Sequence, residues 1–356
     1  MFNQVTVIGA GLMGSGIAAH LANAGVNVLL LDVPSDKQGN KNYLADNALK
    51  KLLKIKPSPL TLSSNIKKIK TGNIEDHLKL INECDWVIEA IIENLNIKEH
   101  LYQKIEKIMK DDLIISSNTS TIPLNHLTKK RNNKFKANFF ITHFFNPPRY
   151  LRLLEIVDSK NSDQKLKNKI IEFCDIRLGK TVVQCNDTPG FIGNRIGVYW
   201  MMKAAVDAIA FDLSVEEADL IISKIFGAPK TGVFGLLDLV GLDLMPHVLD
   251  SMLSNVKKED EYNNFSDYPE IFNYMLENNL VGRKAQGGFY KLEKLNGKNV
   301  KYSINLKTKE YSISQKANIE SLKLGNKDIR KFLDQDDKFS SYAWSVLSST
   351  IEYTLN

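Results

Sequence analysis

The residues best suited to chemistry are His143, in the run Thr142-His143-Phe144-Phe145-Asn146-Pro147-Pro148, and Glu155, a short distance further on. A histidine followed at short range by a carboxylate is the smallest unit of a general base with an orienting partner. The carboxylate accepts from one ring nitrogen and fixes the tautomer. The other nitrogen is then free to take a proton near neutral pH.

A second signature opens the chain. Val5-Thr6-Val7-Ile8 is apolar or β-branched and reads as a buried strand, and Gly9-Ala10-Gly11-Leu12-Met13-Gly14 follows with G-x-G-x-x-G spacing. Ile17, Ala18, Leu21 and Ala22 then recur at helical spacing, Gly25 ends the helix, and a strand from Val26 to Leu31 stops at Asp32. In such a strand–turn–helix–strand unit Gly9 permits the tight turn. Gly11 lets the backbone approach a pyrophosphate resting on the helix N-terminus, Gly14 lets the helix pack close to the sheet, and Asp32 accepts from a ribose hydroxyl. A carboxylate there repels a 2′-phosphate, so NAD is expected rather than NADP. Base and dinucleotide site together point to alcohol oxidation by hydride transfer.

The elements that must position these groups alternate. The pattern predicts an amphipathic helix over 36–56, a short strand at 66–69, a strand over 86–93, a helix over 98–109, and strands over 113–117, 139–143, 153–157 and 181–183. Such alternation implies an α/β fold with a mostly parallel sheet. Asp32, Glu93, Ser120 and His143 all fall where strands end, which is where open α/β sheets bind ligands. Beyond Asp187-Thr188-Pro189-Gly190-Phe191 the spacing becomes helical (191–211, 215–225 and 243–257), and Gly287-Gly288-Phe289-Tyr290 reads as a closing turn. The expected organisation is a nucleotide-binding domain over 1–186, a smaller all-α domain over 187–290, and a tail over 291–356 made of a hairpin and a terminal helix.

With 356 residues, three cysteines and a net charge of +6, the composition is that of a soluble globular protein. No signal peptide and no membrane span are expected, and a cytoplasmic location fits. Cys84, Cys174 and Cys185 are odd in number and form no C-x-x-C, so neither a disulfide framework nor a metal site is expected. Between Asn47 and Ile74 lie seven lysines (Lys50, Lys51, Lys54, Lys56, Lys67, Lys68, Lys70) and no acid. Two readings stay open: a surface for a polyanionic substrate, or a solvated helical face. Nucleic-acid binding is disfavoured, because no aromatic residues are interleaved with the lysines.

Taken in order, Gly9-Ala10-Gly11-Leu12-Met13-Gly14-Ser15-Gly16, Glu89-Ala90-Ile91-Ile92-Glu93-Asn94, Ser117-Asn118-Thr119-Ser120, His143-Phe144-Phe145-Asn146-Pro147 and Asp187-Thr188-Pro189-Gly190-Phe191-Ile192-Gly193-Asn194-Arg195 resemble the L-3-hydroxyacyl-CoA dehydrogenases of fatty-acid β-oxidation. The resemblance runs from residue 3 to about 290, and the chain looks most like the dehydrogenase part of bacterial multifunctional fatty-oxidation proteins. It implies a Rossmann-type domain followed by a helical one. It also implies His143 as catalytic base, Glu155 as its orienting carboxylate, and Ser120 and Asn194 as the groups that position the substrate oxygen and the histidine. Met13, Asp32, Ala90, Glu93, Lys98 and Asn118 would line the NAD site, with Asn146 beside the nicotinamide. The substrate would be an acyl-CoA, met in part by Lys50, Lys51 and Lys54. Two departures fall in the helical domain: Gly232-Val233-Phe234 stands where the family usually has Gly-Pro-Phe, and Gln286 where it often has Gly.

Two other readings belong to different classes. One is a non-catalytic nucleotide-binding or scaffold protein on this fold, against which the joint presence of His143, Glu155, Ser120 and Asn194 argues. The other is a dehydrogenase of a small free hydroxy acid, which would have no use for the lysine stretch. His20, His77, His100, His126 and His247 lack a comparable partner and are taken as structural. In the terminal helix, Tyr342, Ala343, Trp344, Leu347 and Ile351 are expected to form an apolar face that docks on 187–290 or on a second copy of the chain. The tail also suggests the N-terminal part of a longer multifunctional protein, so the expected partners are a second copy or the remainder of that protein.

Overall fold

The computed structural model describes residues 2–225, 230–325 and 328–356, apart from the side chains of Gln38 and His247. The chain divides into two compact units, Met1–Ile192 and Gly193–Asn356.

The first unit runs β1 (Gln4–Ile8), α1 (Leu12–Asn23), β2 (Asn27–Asp32), α2 (Tyr43–Leu52), β3 (Ile69–Asn73), β4 (Trp86–Glu89), α3 (Leu95–Glu106), β5 (Ile114–Ser117), α4 (Leu124–Thr128), α5 (Asn133–Asn138), β6 (Phe139–Phe144), β7 (Leu153–Val157), α6 (Gln164–Glu172) and β8 (Thr181–Cys185). The eight strands form one sheet in the order β3-β2-β1-β4-β5-β6-β7-β8. Both faces are buried. Val5, Val7, Leu30, Ile88 and Phe140 point into one apolar layer, while Ile8, Leu29, Leu31, Val87 and Ile141 point into the other. That is the two-sided burial a helix-covered sheet requires.

Several boundaries differ from the sequence pattern, each for a local reason. The helix expected over 36–56 narrows to α2, because Asn40 accepts from the Asn42 amide and donates to Asp46, forming a turn ahead of it. Residues 63–68 are a 3₁₀ turn, and the strand begins only at Ile69. β4 stops at Glu89, whose carboxylate accepts from the Ile91 amide, and α3 starts early because Asn94 caps the Ile97 amide. β6 and β7 are antiparallel, whereas β7 and β8 are parallel. Residues 145–152 are too few for a parallel crossover, which needs a dozen or more.

The first unit also keeps 187–192. The Asp187 carboxylate accepts from the Leu124 and Asn125 amides at the start of α4, and the Ile192 amide donates to Glu155 at 3.0 Å. All three cysteines are free and buried.

The second unit runs α7 (Gly193–Ala210), α8 (Val215–Ile225), α9 (Gly232–Val240), α10 (Leu244–Leu253), α11 (Glu270–Glu277), β9 (Tyr290–Leu295), β10 (Lys298–Ile304), β11 (Tyr311–Ile313), α12 (Glu320–Leu324), α13 (Ile329–Leu333) and α14 (Lys338–Leu355). The expected hairpin is a three-stranded antiparallel sheet, with β9 and β10 joined through Asn296-Gly297, both at positive φ. The tail packs on its own unit. Tyr342 donates to the Ala204 carbonyl of α7 at 3.0 Å, and the Tyr353 ring stacks on Tyr199 at 4.0 Å. The buried face of α14 is Tyr342, Ala343 and Val346, while Trp344 is 58% exposed and Ile351 49% exposed. The expected face was therefore misaligned: residue 344 lies about 200° around the helix from 342. Among the described residues no single helix is long and apolar enough to cross a membrane.

Two buried aspartates tie this unit together. Asp219 accepts from the Phe234 amide at 2.7 Å, the Gly235 amide at 3.1 Å and the Tyr290 hydroxyl at 2.8 Å. Asp238 accepts from the Phe289 and Tyr290 amides, both at 2.8 Å. Gly232 is obligatory beside them: it sits at positive φ, and a Cβ would lie 2.4 Å from the Asp219 Cα. Burial raises Asp219 to about 7 and Asp238 to about 6, against the pull of their N–H donors. A raised carboxyl lends stability in full below its unfolded value near 4, and loses it as pH rises through the folded value. Asp219→Asn should destabilise the unit by about 1–3 kcal/mol at pH 5, through mispaired buried donors. The gap to wild type should narrow by pH 8 in urea unfolding; a gap that widens would mean the ionised form is the one the fold prefers.

Candidate active site

The antiparallel register places His143 directly opposite Glu155. Cross-strand partners have side chains on the same face of a sheet, within bonding reach. The His143 Nδ1 and Glu155 Oε2 are 2.8 Å apart, and both side chains are buried (7% and 1% exposed). With Glu155 ionised, Nδ1 carries the hydrogen and donates, leaving Nε2 as the proton acceptor. Glu155 Oε1 takes the Ile192 amide, so the carboxylate is itself held in place. The imidazole packs beside Phe145 and Phe191, with ring centroids at 4.5 and 5.7 Å. Cys185 adjoins Glu155; burial, with Glu155, pushes its thiol up to about 12, so it is no second base.

The nucleotide unit is built as its glycines require. Gly9 is at φ +105°, and a Cβ there would stand 2.4 Å from the Ala90 carbonyl oxygen; one on Gly14 would stand 1.8 Å from the Gly9 carbonyl oxygen. A Cβ on Gly11 would meet nothing within 4 Å. The backbone at Gly11 therefore faces open space where a diphosphate would rest. No side chain caps α1 and no acid lies in its first turn, so its first N–H groups favour an anion. Asp32 accepts from the Ala10 amide at 2.6 Å and the Val33 amide at 2.7 Å, which fixes its carboxylate beside the glycine loop at the tip of β2. Met13 is half-buried on α1. These residues fit a dinucleotide.

At the next strand ends lies a charge cluster only partly visible in the sequence. Glu93 accepts from the hydroxyls of Thr119 and Thr121 and from the Ser120 and Thr121 amides. Burial opposes its charge, but Lys98 and the Thr119 hydroxyl outweigh this and hold its carboxyl below the usual value. Lys98 is 1% exposed and bonds Glu89 at 2.6 Å and Glu93 at 3.2 Å. It thus stands behind Glu93 rather than on the surface. Glu89, at 0% exposure, also accepts from Ile91, Tyr102 and Ser117. Its anchoring role was not read from the sequence, although a glutamate closing an apolar strand nine residues before a lysine was the available signal. Asn118 accepts from the Phe144 amide at 2.9 Å, locking the end of β5 to the end of β6. Ser120 follows there, its amide on Glu93. Ala90 donates to the Ile8 carbonyl and packs beneath the glycine loop. Asn146 is exposed just past β6.

Asn194 stands in the first turn of α7, half-buried, in the second unit. Lys50, Lys51 and Lys54 are exposed on and just after α2. Among the described residues none of the seven lysines between 47 and 74 has an ion-pair partner.

With this geometry in view, the likenesses to known proteins are specific. Residues 4–188 match the 3-hydroxyacyl-CoA dehydrogenase NAD binding domain, and residues 190–292 match the 3-hydroxyacyl-CoA dehydrogenase C-terminal domain. The chain is 44% identical over 316 residues to a putative fatty acid oxidation complex trifunctional enzyme of Rickettsia prowazekii, covering 89% of this chain and 44% of that protein. It is 40% identical to a probable 3-hydroxyacyl-CoA dehydrogenase of Deinococcus radiodurans, covering 82% of this chain and 83% of that one. Among solved structures, the (S)-3-hydroxybutyryl-CoA dehydrogenase of Ralstonia eutropha is 26% identical with a TM-score of 0.65, covering 81% of this chain and 98% of that chain. The chain spans less than half the length of the trifunctional relative. By both domain matches and by these relatives, the chain belongs to the 3-hydroxyacyl-CoA dehydrogenase family and carries that family's NAD-binding domain.

Proposed function

We propose that the chain catalyses the reversible, NAD-dependent oxidation of an L-3-hydroxyacyl-CoA to the 3-ketoacyl-CoA. The observation that carries this reading is the buried His143–Glu155 pair on a sheet whose opposite half holds a complete dinucleotide loop. NAD, when bound, supplies the hydride acceptor. Gly11, the N-terminus of α1 and Asp32 would hold its diphosphate and ribose, and Glu93, Asn118 and Asn146 would line the nicotinamide half.

His143 takes the hydroxyl proton at Nε2 in the oxidising direction and returns it in the other. Glu155 holds the ring in the donating tautomer at Nδ1 and compensates the charge the imidazole gains. Phe145 and Phe191 keep water from the ring. Ser120 and Asn194 are proposed to hold the substrate oxygen by hydrogen bonds. The unpaired Lys50, Lys51 and Lys54 are proposed to meet the phosphates of CoA. The names of the trifunctional relatives support a place in fatty acid oxidation, with other regions of a longer multifunctional protein as partners.

Three measurements bear on this. His143→Gln should leave NADH binding nearly intact while kcat falls by roughly 10²–10⁴, the usual worth of a positioned acid–base group; a fully active variant removes the mechanism. Wild type should strongly prefer NADH to NADPH, and Asp32→Ala should narrow that preference; equal use of both by wild type would refute the reading of Asp32. Neutralising Lys50, Lys51 and Lys54 together should raise KM for acyl-CoA with little change in kcat, the mark of lost uniform binding. An unchanged KM would return those lysines to a solvated face.

A further inference from the structure

Lys180 lies immediately before β8 and is 2% exposed, yet among the described residues no carboxylate pairs with it. The left-handed turn at Gly179 (φ +62°) and the Lys180 amide bond to the Cys174 carbonyl send its side chain inward. Its ammonium donates to the carbonyls of Pro148 and, at 2.7 Å, Leu151, and lies 5.6 Å from the Phe144 ring centroid. Of the titratable neighbours, His20 and Cys174 are neutral, while Arg149 is a second cation acting on His20. Burial, then Lys180, lowers His20 to about 4, and burial raises the Cys174 thiol well above its ordinary value. Burial lowers Lys180 itself to about 8. An ammonium without a counter-ion is a costly group to bury, and an apolar side chain would fill the space more cheaply.

What the lysine holds is the segment that leaves His143. Residues 146–151 bear no regular structure, and Tyr150 and Leu151 close a turn onto the Pro147 carbonyl. Arg149 ties the segment to the Ser58 carbonyl at 2.6 Å and the Leu60 carbonyl at 2.9 Å, and Tyr150 adds a bond to Ser58 at 2.9 Å. Pro148 lies on α1 at Gly16, where a Cβ would come within 3.1 Å of its ring. The loop is thus seated on the nucleotide helix, braced at one side by the segment after α2 and from behind by Lys180.

We propose that Lys180 is a positioning residue: it clamps the 146–151 loop onto α1, and so fixes Asn146 for the nicotinamide and the exit of β6 for His143. This rests on the dehydrogenase reading for what the loop serves, but not for the clamp itself. A purely structural lysine would stabilise the whole unit evenly. A clamp acts on the loop and on the chemical step.

The test uses the whole chain with Lys180→Met and Lys180→Arg, followed by amide hydrogen exchange and by NADH-dependent reduction of acetoacetyl-CoA. In Lys180→Met the Tyr150 and Leu151 amides should exchange at least about tenfold faster while those of β1 and β5 stay near wild type. In the same variant kcat should fall about 10–100-fold, with KM for acyl-CoA changing far less, as expected for misplaced groups. Lys180→Arg, which keeps donors toward both carbonyls, should recover most of both. Should Lys180→Met fail to fold, Lys180→Leu, which also lacks a donor, is read in the same way. Loop exchange equal to wild type, uniform loosening of the unit, or an unchanged kcat in an active enzyme overturns the clamp. Faster loop exchange in a chain whose wild type reduces no acetoacetyl-CoA supports the clamp and counts against the dehydrogenase reading instead.

Discussion

The cross-strand bond between His143 and Glu155 depends on one topological choice, the reversal of strand direction between β6 and β7. Six parallel strands and their helices build the dinucleotide half, and a parallel seventh would have carried Glu155 away behind a crossover helix. The short loop at 145–152 makes that impossible and folds the next strand straight back. With Cα partners fixed at His143 and Glu155, side chains of ordinary length meet without strain. The same short loop is then the part of the site with the least regular support, and it is held by the bonds of its own Arg149 and Tyr150 to Ser58 and by Lys180.

A second constraint is the disposal of buried charge. Glu89 and Lys98 are both almost wholly buried, and breaking such a pair by removing one partner commonly costs about 3–5 kcal/mol. Here four donors, the Ile91 amide, Tyr102, Ser117 and Lys98, converge on Glu89. The network fixes the end of β4 and the start of α3, and through Lys98 it holds Glu93 against the 119–121 turn. The carboxyl ends of β4, β5 and β6 are in this way cross-linked by polar groups, while the apolar layers on either side bury the faces of the sheet.

Much of this was legible in the sequence. The G-x-G-x-x-G loop and the strand ending at Asp32 carry their geometry in residue type and order, because glycine leaves few alternatives; the His143 and Glu155 pair was legible as a short-range spacing, but not the antiparallel register that joins it. Alternation of strands and helices fixed the class of sheet. The pattern did not show where hydrophobic runs stop: side-chain to backbone bonds at Asn40, Glu89 and Asn94 shift element ends by several residues without altering the apolar periodicity. Nor did it show that Lys98 turns inward, or that Glu89 anchors it, since a lysine on an amphipathic helix reads the same whether its ammonium meets water or a buried acid. In the tail, the apolar residues of α14 outnumber those one face can bury, and only the packing of Tyr342 and Tyr353 on α7 tells which stripe turns inward.

The proposed catalysis turns on Glu155 holding the hydrogen of His143 on Nδ1 and leaving Nε2 to accept the proton. Nitrogen-15 NMR of histidine-labelled protein, with His143 assigned by difference against a variant lacking it, reads this directly. At neutral pH the neutral ring should show a protonated, pyrrole-type Nδ1 and an unprotonated, pyridine-type Nε2. The reverse pattern, or an averaged signal from freely exchanging tautomers, would contradict the account.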